Sequence, residues 1–244
     1  MSLAGQNVLI TGGALGSATA RLFAQNGASV AYVYHSKPEE ADKVVKSLGG
    51  GGSHKAYQGD LRTEGAVKAV FEQAKKDYGK LHIAVNNVGK VLKKPMAEIS
   101  EAEYDEMFAL NSKAAFFFIK HAGLNLEDGG KIVSTVTSLL AAFTGFYSVY
   151  AGSKAPVEHF VRAAAKELQP RRISVNCIAP GPMDTPFFYP QEEPEAVAFH
   201  KSMALDGRLT DVEKDIAPIM LHLVTGGQWI TGQTIFANGG YTTR

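Results

Sequence analysis

Cysteine is nearly absent from this sequence: Cys177 is the single one among 244 residues. One thiol cannot form an intramolecular disulfide, so no such crosslink supports the fold. Cys177 lies within the apolar run at residues 173–178, and this placement predicts a plain core thiol rather than a reactive one.

An excess of charge of one sign is also missing, because 25 basic and 24 acidic side chains leave a formal net charge of +1. This balance excludes the electrostatic footprint of a nucleic-acid-binding protein or of one that docks on an anionic membrane. No apolar run approaches the roughly 20 residues that span a bilayer. No signal-peptide pattern precedes the first apolar run, so we expect a cytoplasmic protein. The seven histidines lack metal-ligand spacing, and we expect no metal site.

Short apolar runs are present and alternate with segments of helical pattern. The runs lie at residues 8–10, 30–33, 81–85, 132–136 and 173–178. Runs that are apolar throughout, rather than at every second residue, predict strands buried on both faces. The alternation predicts an α/β fold: a Rossmann-type doubly wound parallel sheet with helices on both faces. No linker divides the chain, so we expect a single domain over residues 1–244.

Residues 186–207 differ in composition from the rest of the chain. Aromatic residues flanked by proline, from Phe187 to Tyr189, precede acidic residues and a helical stretch. Insertions of this kind after a strand often close over a substrate, so we predict a lid. The alternative is a surface segment packed on its own aromatic side chains. Together with Phe187 to Tyr189, we expect Phe143, Phe146 and Tyr147 to wall an apolar substrate pocket.

Tyr150 and Lys154 are the most informative residues, because their spacing of one helical turn puts both polar ends on one face. An ammonium beside a phenol favours the phenolate, and a lowered pKa suits the hydroxyl for acid–base chemistry near neutrality. A Y-x-x-x-K pattern alone arises by chance in many proteins. Here it follows the predicted strand at 132–136 and the hydroxyl residues Thr137 and Ser138.

A glycine turn follows the first predicted strand and opens a helix, with the sequence T-G-G-A-L-G at residues 11–16. Glycines at such a turn let the backbone approach a pyrophosphate, and the helix N-terminus offers unpaired N–H groups. The candidate contacts are Gly12, Ala14, Leu15 and Gly16.

With this turn, the N-N-V-G element at residues 86–89 and the Y-x-x-x-K pair, the sequence resembles the short-chain dehydrogenase/reductase family from about residue 7 to residue 240. The resemblance is broadest to reductases of 3-oxoacyl thioesters and related ketones. It implies a nicotinamide cofactor that carries the hydride chemistry, while the protein supplies position and electrostatics.

The glycine turn departs from the family pattern T-G-x-x-x-G-x-G. Read forward, the pattern matches Gly12 and Gly16, with Ala18 in place of the last glycine. Read backward from the helix, which we prefer, Leu15 and Gly16 match the last pair and the turn is about two residues short after Ala14. Either the turn is shortened or two residues are missing at this point. A Cα separation well beyond ~3.8 Å would indicate the second.

The resemblance implies roles at the reacting end. Tyr150 would donate a proton to the carbonyl oxygen in reduction, or remove one in oxidation, and Lys154 would hold the nicotinamide-ribose hydroxyls. Asn111 would help to hold a proton-relay water, or it satisfies backbone groups at a helix irregularity. The family's substrate-binding serine falls on Thr137 by register, with Ser138 as the close alternative.

The resemblance also implies cofactor contacts along the chain. They are Asp60 and Leu61 at the adenine, Asn87, Val88 and Gly89 after the strand at 81–85, the pair Tyr150 and Lys154, and Pro180, Gly181, Met183 and Thr185 in the turn that holds the nicotinamide carboxamide.

The end of the second predicted strand bears on the choice of cofactor. NAD-binding folds usually place a carboxylate there for the ribose hydroxyls, and this chain has none. His35, Ser36 and Lys37 instead suit a 2′-phosphate, which a carboxylate would repel. We therefore favour NADP(H) over NAD(H). The alternative is that these are solvated loop residues.

The sequence thus predicts an NADP(H)-dependent oxidoreductase that transfers a hydride between nicotinamide and a carbonyl or secondary alcohol, with a ketone or 3-oxoacyl-type substrate. Two alternatives stay open: an NAD-dependent sugar or polyol dehydrogenase, and a non-catalytic dinucleotide-sensing regulator, which the short glycine turn supports. The motifs do not identify the substrate. The expected partners are a small carbonyl or alcohol compound and further copies of the chain in a homodimer or homotetramer.

Overall fold

The computed structural model describes residues 2–243, and all seven strands assigned there lie in one parallel sheet. The strand order is β3-β2-β1-β4-β5-β6-β7. The strands are β1 Asn7–Thr11, β2 Ser29–Tyr34, β3 His54–Gln58, β4 Leu81–Asn86, β5 Leu126–Thr135, β6 Ser174–Pro180 and β7 Thr234–Ala237. The predicted fold class is confirmed.

Eight α-helices are assigned within the same residues. They are α1 Ala14–Gln25, α2 Pro38–Ser47, α3 Glu64–Tyr78, α4 Glu101–Phe108, α5 Ala114–Asn125, α6 Ser148–Glu167, α7 Pro194–Ser202 and α8 Ala217–Thr225. Local signals fix several helix starts. At α4, the Ser100 hydroxyl accepts from the backbone of Glu103, whose carboxylate accepts from the backbone of Ser100. Thr63 accepts from the backbone of Ala66 at the start of α3.

Two apolar cores cover the two faces of the sheet. One contains Phe71 of α3 and Phe118 of α5, whose rings meet edge to face at 5.1 Å. The other contains Phe23 of α1 and Met220 of α8. Every residue of β6 is buried, as a strand covered on both sides requires, and its Cys177 is a core thiol, as predicted.

The strand order reverses between β1 and β4, which pair side by side although helices and two further strands separate them in the chain. A crevice opens at such a point, beyond the carboxyl ends of the strands, and ligands of doubly wound sheets bind there. Among residues 2–243, no helix combines the length and apolar content needed to cross a bilayer.

Candidate active site

The glycine turn is short and continuous. Helix α1 begins at Ala14, directly after the turn, and the backbone N–H of Ser17 donates to Gly13 O at 2.8 Å. The backbone runs from Ala14 into Leu15 within one helix. A Cβ at Gly16 would lie 2.1 Å from Thr11 O, so glycine is required for α1 to pack this closely on β1.

A tyrosine from the neighbouring strand braces this turn. The hydroxyl of Tyr32 lies 2.7 Å from the Ser17 hydroxyl, which is also 2.9 Å from Gly13 O. Tyr32 is buried in β2 and lines the crevice. This contact could not be predicted from the sequence, because it joins side chains 15 positions apart and follows no motif.

Asn87 ties the end of β4 to the glycine turn across the point where the strand order reverses. Its backbone N–H donates to the Thr11 hydroxyl at 2.6 Å, and its side-chain amide donates to Gly12 O at 2.8 Å. These two contacts hold the two walls of the crevice together. The N-N-V-G element thus fixes the position of the turn.

The crevice encloses about 790 Å³. The predicted cofactor residues that line it are Gly12, Ala14, Leu15, His35, Ser36, Lys37, Asp60, Leu61, Asn87, Val88, Gly89, Tyr150, Lys154, Met183 and Thr185. Three predicted residues do not line it. Gly16 packs beneath the turn, and Pro180 and Gly181 line the neighbouring pocket described below.

Two ion pairs occupy the end of the crevice where β2 and β3 finish. Lys37 Nζ lies 2.8 Å from Glu40, and Arg62 donates through Nε to Asp60 at 2.8 Å. The guanidinium of Arg62 holds the pKa of Asp60 down to about 2. His35 lies 3.8 Å from the same carboxylate. Arg62 is a crevice residue that the sequence analysis missed, although its place two residues after Asp60 was a usable signal.

Lys154 lies at the other end of the crevice, where its ammonium donates to Thr135 O at 3.0 Å and to Val88 O at 3.2 Å. Burial lowers the pKa of Lys154 to about 8. A Cβ at Gly89 would come within 2.8 Å of this ammonium, so a side chain at this position would crowd it. An ammonium has three N–H donors, and two of them are used by these carbonyls.

Tyr150 is buried on the first turns of α6, beside the hydroxyl of Thr137. Burial raises the pKa of Tyr150 to about 12, and the hydrogen bond with Thr137 offsets only part of this rise. The lowered pKa that we expected from Lys154 is therefore wrong for the protein alone. The reason is that the phenolate is penalised by desolvation more than any neighbouring group stabilises it.

Thr137 and Ser138 point in different directions. The Thr137 hydroxyl accepts from Leu139 N at 3.2 Å and is close enough to the phenol of Tyr150 to oppose the rise in its pKa. The Ser138 hydroxyl instead donates to Ala179 O at 3.0 Å, in the neighbouring strand β6. Of the two alternatives, Thr137 is the one whose contacts suit a substrate oxygen held next to Tyr150.

Asn111 is fully buried in a π-helical turn, Ala109–Lys113, between α4 and α5. Its amide donates to Lys90 O and to the Ser153 hydroxyl, each at 2.9 Å, and its oxygen accepts from Lys90 N at 2.9 Å. The side chain thus satisfies backbone groups at a helix irregularity and ties the loop after β4 to α6. Both N–H groups of the amide are used by the protein.

A second, smaller pocket of about 90 Å³ adjoins the crevice. Five residues line both spaces: Val136, Tyr150, Met183, Thr185 and Phe187. Thr137, Ser138, Tyr147, Phe188 and Tyr241 are among the residues that line only the smaller one. Tyr150 therefore stands at the junction of the two.

Three of the aromatic residues expected in the pocket wall lie elsewhere. Phe143, Phe146 and Tyr189 are exposed, and none of them lines the pocket. Phe146 has a φ of 66°, so the chain reverses there and turns its ring outward. Tyr147 and Phe187 do line the pocket, as predicted, and α7 follows in the segment that we expected to form a lid.

The residues fit a nicotinamide dinucleotide. Helix α1 points its uncapped N-terminus into the crevice through Ala14 and Leu15, and no acidic side chain lies in its first turn. Such an end attracts a pyrophosphate. Arg62 and Lys37 lie at one end of the space and the Lys154 ammonium at the other. This donor set suits a long, anionic ligand with ribose hydroxyls.

Comparison with known proteins supports the same conclusion. Residues 11–242 match a family model described as enoyl-(acyl carrier protein) reductase. A hydroxynaphthalene reductase-like protein of Metarhizium brunneum is 35% identical, over 99% of this chain and 97% of its own length. An NADPH-dependent aldehyde reductase of Arabidopsis thaliana, described as chloroplastic, is 33% identical over 98% of this chain and 95% of its own length.

Solved structures extend the comparison. A crystal structure of a protein described as a dehydrogenase from Burkholderia cenocepacia, with bound NADP, is 56% identical to this chain. It superposes with a TM-score of 0.96 and covers 100% of this chain and 96% of its own.

Proposed function

The chain belongs to the short-chain dehydrogenase/reductase family and is an oxidoreductase, and we propose that it is an NADP(H)-dependent reductase of ketones or related carbonyl compounds. The observation that carries the proposal is the position of Tyr150, which lines both the nucleotide crevice and the smaller apolar pocket. A proton donor at that junction lies within reach of a carbonyl held against the cofactor.

Bound NADPH would supply the hydride to the carbonyl carbon. Tyr150 donates its phenolic proton to the carbonyl oxygen, and Thr137, whose hydroxyl already contacts the phenol, holds that oxygen in place. Lys154 would hold the nicotinamide-ribose hydroxyls with its remaining N–H, and its positive charge would favour the phenolate that forms. Asn111 acts as a positioning residue through Ser153. The Ser153 hydroxyl accepts from the Asn111 amide and donates to the backbone carbonyl of Tyr150 at 2.8 Å.

The preference for NADP(H) rests on charge at the β2 and β3 ends of the crevice. Lys37 and Arg62 each carry a positive charge there, and β2 ends without an acid. NADP in the similar Burkholderia cenocepacia protein and NADPH dependence in the Arabidopsis thaliana relative support the same choice. The apolar wall of the smaller pocket, with Phe187, Phe188 and Tyr147, disfavours a sugar or polyol.

The direct test is a fluorescence titration of the protein with NADPH and NADH, followed by NADPH oxidation with a panel of ketones, aldehydes and 3-oxoacyl thioesters. We expect NADPH to bind more tightly, because only it carries the 2′-phosphate that the basic residues match. We also expect turnover with at least one apolar ketone. Tighter binding of NADH would contradict the cofactor assignment. Binding without turnover across the panel would favour the dinucleotide-sensing alternative.

The pH dependence of NADPH use should report Lys154. Its pKa of about 8 means that the ammonium is lost as the pH rises through that value, whereas Tyr150 stays protonated to about 12. We therefore expect kcat/KM for NADPH, which reports the free enzyme, to fall about tenfold per pH unit above pH 8. The measurement is kcat/KM for NADPH from pH 6 to 10 at a saturating ketone concentration.

Lys154→Arg is the control for this assignment, because a guanidinium keeps its charge across the whole range. The variant should have a lower kcat/KM at every pH but lack the fall above pH 8. An equal fall in both proteins would assign the titration to another group.

A further inference from the structure

A polar cluster forms part of the wall of the smaller pocket, outside the residues assigned to catalysis. Its centre is the carboxylate of Glu192, whose side chain is 1% exposed. Glu192 accepts from Lys93 Nζ at 2.6 Å and from the hydroxyl of Tyr147, and it lies 3.4 Å from His200 Nε2. The other ring nitrogen of His200 lies 3.0 Å from the hydroxyl of Tyr241.

The cluster joins four separate segments of the chain. Lys93 comes from the loop after β4, Tyr147 from the turn before α6, Glu192 and His200 from the segment at 186–207, and Tyr241 from the C-terminal turn. A second contact joins the loop after β4 to the segment at 186–207: Lys93 N donates to the side-chain oxygen of Gln191 at 3.2 Å.

Charge balance in the cluster depends on Glu192. Burial alone would raise the pKa of Glu192, but the hydrogen bonds from Lys93 and Tyr147 outweigh burial and lower it, so the carboxylate is ionised. The Lys93 ammonium also lies 5.7 Å from the centre of the Tyr147 ring. A buried carboxylate with these partners is stable only while they stay in place.

The contacts within the cluster use polar groups that would otherwise be available to a substrate. Tyr147, His200 and Tyr241 all line the pocket, yet their polar atoms are bound to Glu192 or to each other and their carbon faces are left for the substrate. The ring centres of Tyr147 and Tyr150 lie 6.2 Å apart, so this apolar wall lies next to the proton donor. Thr137 and Tyr150 remain as the hydroxyl pair that faces a substrate oxygen.

We propose that Glu192 determines substrate specificity by holding the Lys93 ammonium and the Tyr147 hydroxyl away from the substrate, so that the enzyme selects compact, uncharged ketones over ketones that carry a carboxylate. The inference rests on the proposed carbonyl reductase function. A substrate carboxylate in the pocket meets the negative charge of Glu192 and finds the Lys93 ammonium already paired.

Glu192→Gln tests this, because glutamine keeps the shape and an acceptor oxygen but leaves the Lys93 ammonium without its counterion. The matched substrates are acetophenone and 4-acetylbenzoate, which differ by a carboxylate on the side of the ring away from the carbonyl. We expect the ratio of kcat/KM for 4-acetylbenzoate to that for acetophenone to rise about tenfold or more, which is about 1.4 kcal/mol. The change should lie in KM rather than kcat, with an unchanged Kd for NADPH.

A second variant separates specificity from a merely structural role. In Glu192→Gln/Lys93→Met no unpaired ammonium is left, so the preference for the uncharged ketone should return. This double variant also keeps the proposal testable if the single variant folds poorly, because a buried ion pair is often replaced by neutral groups at little cost. Glu193→Gln, which removes a charge from the exposed neighbouring position, should keep the wild-type ratio.

The outcomes are distinct. An unchanged ratio in a folded Glu192→Gln enzyme would overturn the inference, as would an equal rise in Glu193→Gln or in the double variant. If wild-type enzyme turns over neither acetophenone nor any other carbonyl compound with NADPH, the proposed function itself fails before specificity is tested.

Discussion

Tyr150→Phe should lose most of the turnover while it keeps the nucleotide. Phenylalanine preserves the ring that is packed at the junction of the two pockets and removes only the hydroxyl that contacts Thr137. General acid catalysis contributes about 10²–10⁴-fold, so we expect kcat to fall by about that factor. The measurement is single-turnover NADPH oxidation at a saturating ketone concentration, together with a fluorescence titration of NADPH binding.

Two results would contradict this assignment in different ways. Unchanged turnover would mean that the proton comes from another group. A parallel loss of NADPH binding would mean that the hydroxyl of Tyr150 organises the crevice rather than the chemistry. Tyr104→Phe, an exposed tyrosine on α4 that stacks on Phe108, is the matched control and should leave both quantities unchanged.

The same variant separates an enzyme from a dinucleotide sensor. A sensor would bind NADPH in both forms and turn over neither. The short glycine turn supported the sensor alternative, but the turn is internally braced by Ser17 and Tyr32 and is anchored by Asn87. A turn held in this way still presents the N-terminus of α1 to the crevice, so its length gives no reason to expect lost chemistry.

The fold was predictable because its signals are local. Strands covered on both faces are near-continuously apolar. The runs that end in Ile10 and Val85 fall inside β1 and β4, and the run that ends in Ile178 begins one residue before β6. β3 carries a weaker signal, since it lies at the edge of the sheet and most of its residues are only partly buried. Parallel pairing then brings the carboxyl ends together, and the motif residues follow the strands to one crevice.

The parts of the site that the sequence did not reveal depend on contacts between distant residues. Lys93 and Glu192 are 99 positions apart, and no spacing rule connects them. The outward turn at Phe146 follows from a positive φ at a non-glycine residue, which composition does not indicate. The expectation of a lowered pKa for Tyr150 was wrong for a related reason. Desolvation raises this pKa, and its size depends on how deeply the packed structure covers the phenol.

Arg62→Gln should weaken NADPH binding far more than NADH binding. Arg62 lines the crevice, as Lys37 does, and is held by Asp60, with further donors on its guanidinium for a second oxyanion. A hydrogen bond to a charged group contributes about 1.5–3 kcal/mol, so the Kd for NADPH should rise about 10- to 150-fold. The Kd for NADH, which lacks the 2′-phosphate, should change by no more than about threefold on the same reasoning.

Arg208→Gln is the matched control, because Arg208 is also held by a carboxylate, that of Asp215, but lies outside the crevice. It should leave both dissociation constants unchanged.

The variant Lys37→Gln tests whether the 2′-phosphate is bound at the end of β2 or at the end of β3. If Lys37→Gln alone weakens NADPH, the phosphate is bound at the end of β2, as the sequence indicated. If Arg62→Gln weakens both nucleotides equally, Arg62 supports the adenosine end through Asp60, and the preference for NADP(H) has to come from other residues.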